Sequence, residues 1–309
     1  MMKIGICAKD YERWGNERYN KIKEHGYSHI DYNMVDTETE LYCCEEAKFE
    51  AMLLEEKKLI GEAGIEISQV HGPWRWPSQD STVEDRAERM EKMKKSIRGT
   101  AILGCKHWVI HPIMPHGIQE KGTELAKETW DINLEFMSEL LQTAKECGVI
   151  ICFENMPMPN FSLGSPSEIL KFVKTINDDN FKICLDTGHV AVYEGLNPAD
   201  AARELRDEIR VLHVHDNNGH ADLHFLPYFG VIDWKDFGQA LKEIEFDGVF
   251  SFETAPPGKL PTPVFEEMCK LLVKIAKEIG KKDDSMTDVV AALVWDNGKF
   301  MICQQSCLA

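Results

Sequence analysis

Short apolar runs alternate with longer amphipathic segments along most of the chain. The short runs are nearly continuous in Ile, Val and Phe, which is typical of parallel strands that are buried on both faces. Eight of them are predicted to be strands, at residues 3–8, 28–33, 65–71, 107–112, 149–155, 182–188, 209–216 and 248–254. In the segments between them, such as 128–148 and 261–280, apolar residues recur at i, i+3, i+4 and i+7, the spacing of an amphipathic helix.

The regular alternation of strands and helices predicts the fold. Eight βα units within residues 1–280 indicate an α/β protein of the (β/α)8 TIM-barrel type. The alternative is a doubly wound open sheet. Against it, no GxGxxG motif or P-loop follows the first strand, and polar residues cluster at many strand ends instead of at one crevice. We therefore expect one barrel domain over residues 1–280.

Residues 281–309 do not fit this alternation. A polar linker, KKDDSMTD, precedes two apolar segments around an Asn-Gly turn, which predicts a short C-terminal β-hairpin extension. The hairpin loosely resembles the opening of a Nudix hydrolase domain, although the Glu-rich box that would bind metal is absent from these residues. An extension that packs on the barrel or on a partner chain is the preferred interpretation, and the start of a truncated Nudix-like domain is the alternative.

Composition narrows the classes of function. The 309 residues carry a formal net charge of −17, which repels phosphate backbones and anionic membranes and argues against nucleic acid as a partner. No apolar run approaches the roughly 20 residues of a membrane-spanning helix, so we expect no membrane partner. The ten cysteines are scattered without a CxxC pair, and no apolar signal-like segment opens the chain. Both observations favour reduced thiols and a cytoplasmic protein.

Metal-binding residue types recur where the predicted strands end. A TIM barrel places its functional groups at the carboxyl ends of its strands. In chain order, these ends and the segment after the seventh strand carry His71, His111, Glu154, Asp186, His189, His213, His215, Asp222, His224 and Glu253. Any one of them could be a satisfied core or loop residue. The whole set would be costly to bury without a shared partner, and a metal site at the barrel mouth supplies one.

The ligand types define the kind of metal. Two glutamates, one aspartate and one histidine would hold one divalent ion, with carboxylates favouring Mn²⁺ or Mg²⁺ and imidazole favouring Co²⁺ or Zn²⁺. His213 and His215 lie two apart on the predicted seventh strand and should point to the same face. One of them would bind the metal, and the other would line the pocket or support the ligands.

Several motifs resemble those of the xylose isomerase-like TIM barrel superfamily, which includes sugar isomerases, epimerases and apurinic/apyrimidinic endonucleases of family 2. They are HGPW (71–74), IHP (110–112), FENMP (153–157), LDTGH (185–189), HVHDNNG (213–219), DLHFLPYFGVIDW (222–234) and FET (252–254). Together they are a specific signal that spans most of residues 1–280, whereas each motif alone would be weak.

The epimerase branch of this resemblance implies a site with one divalent metal ion. Its ligands would be Glu154, Asp186, His213 and Glu253. Glu154 and Glu253 would also exchange the substrate proton, and His189 would hydrogen-bond a substrate oxygen. His213 is preferred to His215 as the ligand because the family pattern reads His-x-x-Asp/Glu, and Asp216 follows His213 at that spacing.

The endonuclease branch implies up to three zinc ions. Its additional ligands would be His71, His111, His189, Asp222 and His224. All nine residue types are present, so motif content does not separate the two branches. The mouth segments do, because they are aromatic and nearly uncharged, whereas a DNA enzyme needs basic loops. The aromatic side chains that suit stacking on a sugar ring are Trp74, Trp76, Phe225, Tyr228 and Phe229.

We therefore expect a metal-dependent isomerase or epimerase that moves a proton next to the carbonyl of a small sugar through a metal-stabilised enediolate. A three-zinc phosphodiesterase and a non-catalytic sugar-binding barrel are the alternatives. Gly219 stands where ketose 3-epimerases of this family carry an arginine, which keeps an inosose isomerase or dehydratase open. Members of such families are often dimers or tetramers, so a homo-oligomer is also open.

Overall fold

The computed structural model describes residues 2–74, 78 and 80–281 in full, and the backbone of 290–296 and 299–305. The first eight strands are β1 (Lys3–Cys7), β2 (His29–Asn33), β3 (Glu66–His71), β4 (His107–Ile110), β5 (Ile150–Glu154), β6 (Phe181–Asp186), β7 (Ile209–His213) and β8 (Val249–Phe252). The α-helices are α1 (Arg18–His25), α2 (Glu40–Cys43), α3 (Glu46–Glu62), α4 (Val83–Leu103), α5 (Leu125–Cys147), α6 (Pro166–Ile176), α7 (Thr187–Ala191), α8 (Pro198–Leu205), α9 (Trp234–Glu243) and α10 (Thr262–Ile279). Two 3-10 segments are Ala8–Glu17 and Arg206–Glu208.

The eight strands form one parallel sheet that curls into a nearly closed barrel. Their order is β7-β6-β5-β4-β3-β2-β1-β8, so consecutive strands are neighbours and β1 pairs with both β2 and β8. The seam between β7 and β8 is bridged by Val214, whose N–H donates to the Ser251 carbonyl at 2.9 Å and whose carbonyl accepts from the Glu253 N–H at 3.1 Å. The predicted (β/α)8 fold is confirmed.

Local side-chain chemistry sets the ends of the helices. Ser165 begins α6 with a capping box, in which its hydroxyl accepts from the Glu168 N–H while the Glu168 carboxylate accepts from the Ser165 N–H. Pro166 occupies the first turn, where its missing N–H costs nothing. The long helix α5 ends at Gly148, whose φ of 66° is the left-handed conformation that turns the chain into β5.

A small apolar layer fills the barrel below the strand ends. Val109, Cys152, Cys184 and Val211 form a buried cluster of their own. They lie two positions before His111, Glu154, Asp186 and His213, in that order. Because side chains two apart on a strand point to the same face, the layer lies directly beneath these four residues inside the barrel. The candidate site residues therefore face the carboxyl end of the barrel.

Several strands end one to three residues earlier than the sequence predicts, and side-chain contacts explain the early ends of β6 and β7. β6 stops at Asp186 because this side chain caps α7, accepting from the His189 N–H at 2.6 Å. β7 stops at His213 because the Thr187 hydroxyl, instead of a neighbouring strand, binds the N–H of His215 at 3.1 Å and its carbonyl at 2.8 Å. The expectation that His213 and His215 share one strand is therefore wrong.

Two further strands, β9 (Val290–Asp296) and β10 (Lys299–Gln305), pair antiparallel. The Asn-Gly turn predicted between them lies outside the described residues. The hairpin as an extension, its Nudix-like alternative and the domain boundary after residue 280 stay predictions. Within the described part of the chain, every helix is too short or too polar to cross a bilayer.

Candidate metal centre

Four predicted ligands converge at the carboxyl end of the barrel. Glu154 ends β5, Asp186 ends β6, His213 ends β7, and Glu253 directly follows β8. One ligand atom from each lies within 4.8 Å of those of the other three. Since the four strands are consecutive around the barrel, the topology itself assembles this donor set.

Glu154 is the centre of a ring of imidazoles. Its Oε1 atom lies 2.9 Å from His213 Nδ1 and 3.5 Å from His189 Nδ1. Its Oε2 atom lies 3.0 Å from His111 Nε2 and 3.7 Å from His71 Nε2. The carboxylate is fully buried, so these contacts take the place of water around it.

The remaining predicted residues form an adjoining group. His215 Nε2 lies 3.0 Å from Asp186 Oδ2 and 3.6 Å from Asp222 Oδ1. Asp222 Oδ2 lies 3.3 Å from both His189 Nε2 and His224 Nε2. Asp186 and His189 thus connect this group to the ligands around Glu154. The structure brings all ten predicted residues of the two groups together.

Backbone carbonyls orient four of the histidines. The Nδ1 atoms of His71, His189, His215 and His224 lie 2.9, 2.7, 3.4 and 2.6 Å from the carbonyl oxygens of Gly72, Asn155, Asp216 and Glu253. A carbonyl oxygen only accepts, so Nδ1 is the protonated donor in each contact. The Nε2 atoms of these four rings are then free to face the carboxylates of the site.

The cluster shifts the pKa values of its members in opposite directions. Burial raises the pKa of Glu253, whereas at Glu154 the neighbouring histidines outweigh burial and hold the pKa well below its ordinary value. Burial lowers the pKa of His111 to about 4. At His189 the surrounding carboxylates outweigh burial and raise the pKa to about 10. Without another cation, protonated histidines thus balance the buried carboxylates.

The donor set fits a divalent cation. Three carboxylates and one imidazole are the ligand types that Mn²⁺, Mg²⁺, Co²⁺ and Zn²⁺ accept. Glu154, Asp186 and Glu253 would repel one another without positive charge between them, and a cation at this point would remove that repulsion. Ligand atoms also lie within 4.8 Å of one another in three further groups that could hold a metal ion, His71–Glu154–His213, Asp186–His189–His215 and His215–His224–Glu253.

Three residues that the sequence analysis did not assign support the site. Asp31, in β2, contacts His213 Nε2 at 3.0 Å. The Asn155 side chain joins the ends of β5 and β6, accepting from the Asp186 N–H at 2.8 Å and donating to the Asp186 carbonyl at 3.1 Å. Thr187 holds the backbone of His215, as described above. An acidic residue in the middle of a short strand was the one sequence signal for Asp31.

The mouth of the barrel is rimmed by aromatic side chains. The Trp74 ring lies 4.4 Å from the His111 ring, centroid to centroid. Phe225, Tyr228 and Phe229 follow β7, with exposed fractions of 36, 56 and 57%. Trp76, the fifth aromatic residue predicted here, lies outside the described residues.

One buried carboxylate anchors the loop that carries Asp222 and His224. Asp216 accepts from the Nε1–H of Trp234 at 2.9 Å and from four backbone N–H groups at 2.9–3.2 Å. Those N–H groups belong to Asn217, Gly230, Val231 and Ile232. The two ends of the loop are therefore held at one point. His224 within it has a φ of 49°, a left-handed conformation that is uncommon outside glycine.

A nearly closed parallel barrel with carboxylate and imidazole donors at its strand ends is typical of a TIM-barrel protein, here one with a candidate metal centre. The chain belongs to the xylose isomerase-like TIM barrel family, whose model matches residues 19–274. It is 33% identical over 190 residues to an uncharacterised protein of Methanocaldococcus jannaschii, covering 60% of this chain and 63% of that protein. It is also 33% identical over 208 residues to the D-psicose 3-epimerase of Enterocloster bolteae, covering 65% of each chain.

Among solved structures, the fold is similar to that of a D-tagatose 3-epimerase-like protein. The TM-score is 0.69 with 27% sequence identity, over 90% of this chain and 99% of that chain. The matches to the two curated relatives above span just under two thirds of the length of those proteins.

Proposed function

We propose that this protein is a divalent-metal-dependent epimerase or isomerase of a small sugar. The observation that carries the proposal is the placement of two carboxylates around one imidazole nitrogen. Glu154 Oε1 and Glu253 Oε2 lie 2.9 and 3.3 Å from His213 Nδ1, and they come from β5 and from the end of β8. The similarity to proteins named as D-psicose and D-tagatose 3-epimerases supports it.

The reaction needs two carboxylates because a proton leaves and returns next to the carbonyl. One carboxylate removes the proton from this carbon, giving an enediolate, and the other returns a proton to the carbon, so that protons balance. We assign these roles to Glu154 and Glu253. A divalent ion on Glu154, Asp186, His213 and Glu253 would supply Lewis-acid polarisation of the substrate carbonyl. His189, whose Nε2 atom lies 3.3 Å from Asp222 Oδ2, would hold a substrate oxygen.

The barrel mouth favours an uncharged polyol as the substrate. Exposed aromatic faces at Phe225, Tyr228 and Phe229 suit contact with the C–H face of a sugar. The net charge of −17 would repel polyanions such as DNA. Gly219 leaves no cationic side chain at its position in this mouth, so the preferred sugar need not be psicose or tagatose.

Proton exchange tests the proposal. Purified protein loaded with Mn²⁺ or Co²⁺ is incubated with a panel of ketoses in D₂O, and NMR follows deuterium incorporation at the carbons next to the carbonyl. We expect exchange by the wild type and a loss of about 100-fold or more in Glu154→Gln and Glu253→Gln. Glu208→Gln is the matched control, because Glu208 is a buried carboxylate that binds Lys174 and Lys182 just before β7, at the opposite end of the barrel.

The number of metal ions per chain separates this proposal from its main alternative, the three-zinc phosphodiesterase. Elemental analysis of the purified protein should find one divalent ion per chain. Three zinc ions per chain together with nicking of abasic DNA would contradict the proposal and favour the phosphodiesterase. A protein that binds metal but leaves every ketose unchanged would favour the non-catalytic sugar-binding barrel.

A further inference from the structure

His213 is oriented opposite to the four histidines that donate Nδ1 to backbone carbonyls. Its Nε2 atom points into the barrel and lies 3.0 Å from Asp31 Oδ2. Its Nδ1 atom points to Glu154 and Glu253, at 2.9 and 3.3 Å. The group behind the ring is thus a carboxylate, a stronger acceptor than the carbonyls that orient the other rings.

The sheet places Asp31 in this position through an irregularity. The register between β2 and β3 shifts between Ile30 and Asp31, so that Asp31 is opposite Gln69. Such bulges redirect a side chain and are frequent beside active sites. Asp31 is 2% exposed, and its Oδ2 atom also accepts from Gln69 Nε2 at 3.1 Å. Asp31 and Gln69 therefore lie below the ligands, inside the barrel.

The burial of Asp31 is hard to explain by packing alone. Its Oδ1 atom is buried and has no hydrogen-bond partner among the described residues. A carboxylate in this condition destabilises a fold, and an apolar side chain would fill the same space at lower cost. The contact with His213 explains its position, because a carboxylate oxygen that accepts from the Nε2–H of a neutral ring leaves the lone pair on Nδ1.

We propose that Asp31 is a positioning residue that fixes the tautomer and the orientation of His213, so that Nδ1 serves as the metal ligand. The inference rests on the proposed metal site and extends it to a residue of β2 that touches no substrate. Carboxylates behind ligating histidines typically raise metal affinity by about 10- to 100-fold. Gln69 supports this arrangement by donating to the same oxygen of Asp31.

Metal affinity tests the inference independently of turnover. The chelator-treated wild type, Asp31→Asn, Asp31→Ala and the control Glu208→Gln are titrated with Mn²⁺ by calorimetry, and with Co²⁺ by visible absorption. We expect Asp31→Asn and Asp31→Ala to bind about 10- to 100-fold more weakly, with altered Co²⁺ bands, since the ring no longer presents a fixed Nδ1. Glu208→Gln should match the wild type in both measurements.

The outcomes separate the inference from the function on which it rests. Thermal unfolding of the metal-free variants checks that Asp31→Asn is folded, and Asn preserves the shape of Asp. Affinities within about twofold of the wild type and unchanged Co²⁺ bands would overturn the role of Asp31 while leaving the metal site intact. A wild type that binds neither ion would overturn the proposed function and this inference together.

Discussion

The buried carboxylates of the candidate metal centre are paired with imidazole groups. The carboxylates of Glu154 and Asp186 have no exposed surface, and each has an imidazole nitrogen within 3.0 Å. A metal ion and these imidazole protons therefore compete for the same oxygen atoms. Metal binding should release protons, since a ligating histidine must be neutral at the coordinating nitrogen.

His189 should make the stability of the metal-free protein depend on pH. Its folded-state pKa is raised to about 10, above the unfolded value near 6.5. The stabilisation is therefore complete below about pH 6.5 and is lost as the pH rises through about 10. Urea unfolding after chelation, at about pH 6, 8 and 10, should show a steeper fall for the wild type than for His189→Asn. Parallel slopes for the two proteins would contradict this prediction.

At the scale of elements, barrel strands position the predicted metal ligands, and the loop after β7 carries Asp222 and His224. β5, β6 and β7 each end at one predicted metal ligand, and these strands are held by backbone hydrogen bonds to their neighbours. The segment after β7 instead depends on side-chain hydrogen bonds to Asp216. Because five hydrogen bonds from the two ends of this loop and from Trp234 converge on the Asp216 carboxylate, that carboxylate should contribute strongly to the order of the loop.

Asp216→Asn should loosen this loop. In the wild type the carboxylate accepts hydrogen bonds from four backbone N–H groups, and in the variant an amide nitrogen, itself a donor, would face some of them. We therefore expect the free energy of unfolding to fall by about 2 kcal/mol. Hydrogen exchange of residues 217–232 should accelerate, and urea unfolding would give the stability change. Asp233→Asn is the control, because Asp233 caps α9 in an exposed position and Asn is an equally good cap. Equal exchange in both variants would be evidence against the anchor.

At the scale of the whole molecule, the barrel is complete before the C-terminal strands begin. α10 packs through Leu272 and Ala276, which are fully buried, and the Tyr27 hydroxyl donates to the Cys269 carbonyl at 2.9 Å. All eight barrel strands precede this helix. We therefore predict that the chain up to residue 280 forms a stable barrel by itself.

A chain that ends at Gly280 should fold and bind metal. We expect its thermal transition to lie within about 4 °C of that of the full chain, since all eight barrel strands and α10 are retained. Its Mn²⁺ affinity should be unchanged. A chain that ends at Leu260, and so lacks α10, is the control that should fail to unfold cooperatively. Aggregation of the 1–280 chain would mean that the extension is part of the fold.

The sequence predicted the eight strands and the residues at their ends, because parallel strands are continuous apolar runs and ligands follow them directly. It did not predict the end of β7 at His213, since the Thr187 contact that replaces the ladder comes from a distant segment. Asp31 was missed for a related reason. Its partner His213 is 182 residues away, and which ring nitrogen faces which oxygen depends on the assembled barrel.

The separation between Asp31 and His213 also concerns folding kinetics. We expect the contact between these residues, 182 positions apart, to form late in folding, because long loop closures cost entropy before native contacts compensate for it. His213 would then not yet be oriented by Asp31 in the unfolded chain or in the folding transition state. A bound ion would therefore act mainly by slowing unfolding, and would prolong the lifetime of the folded protein without accelerating its formation.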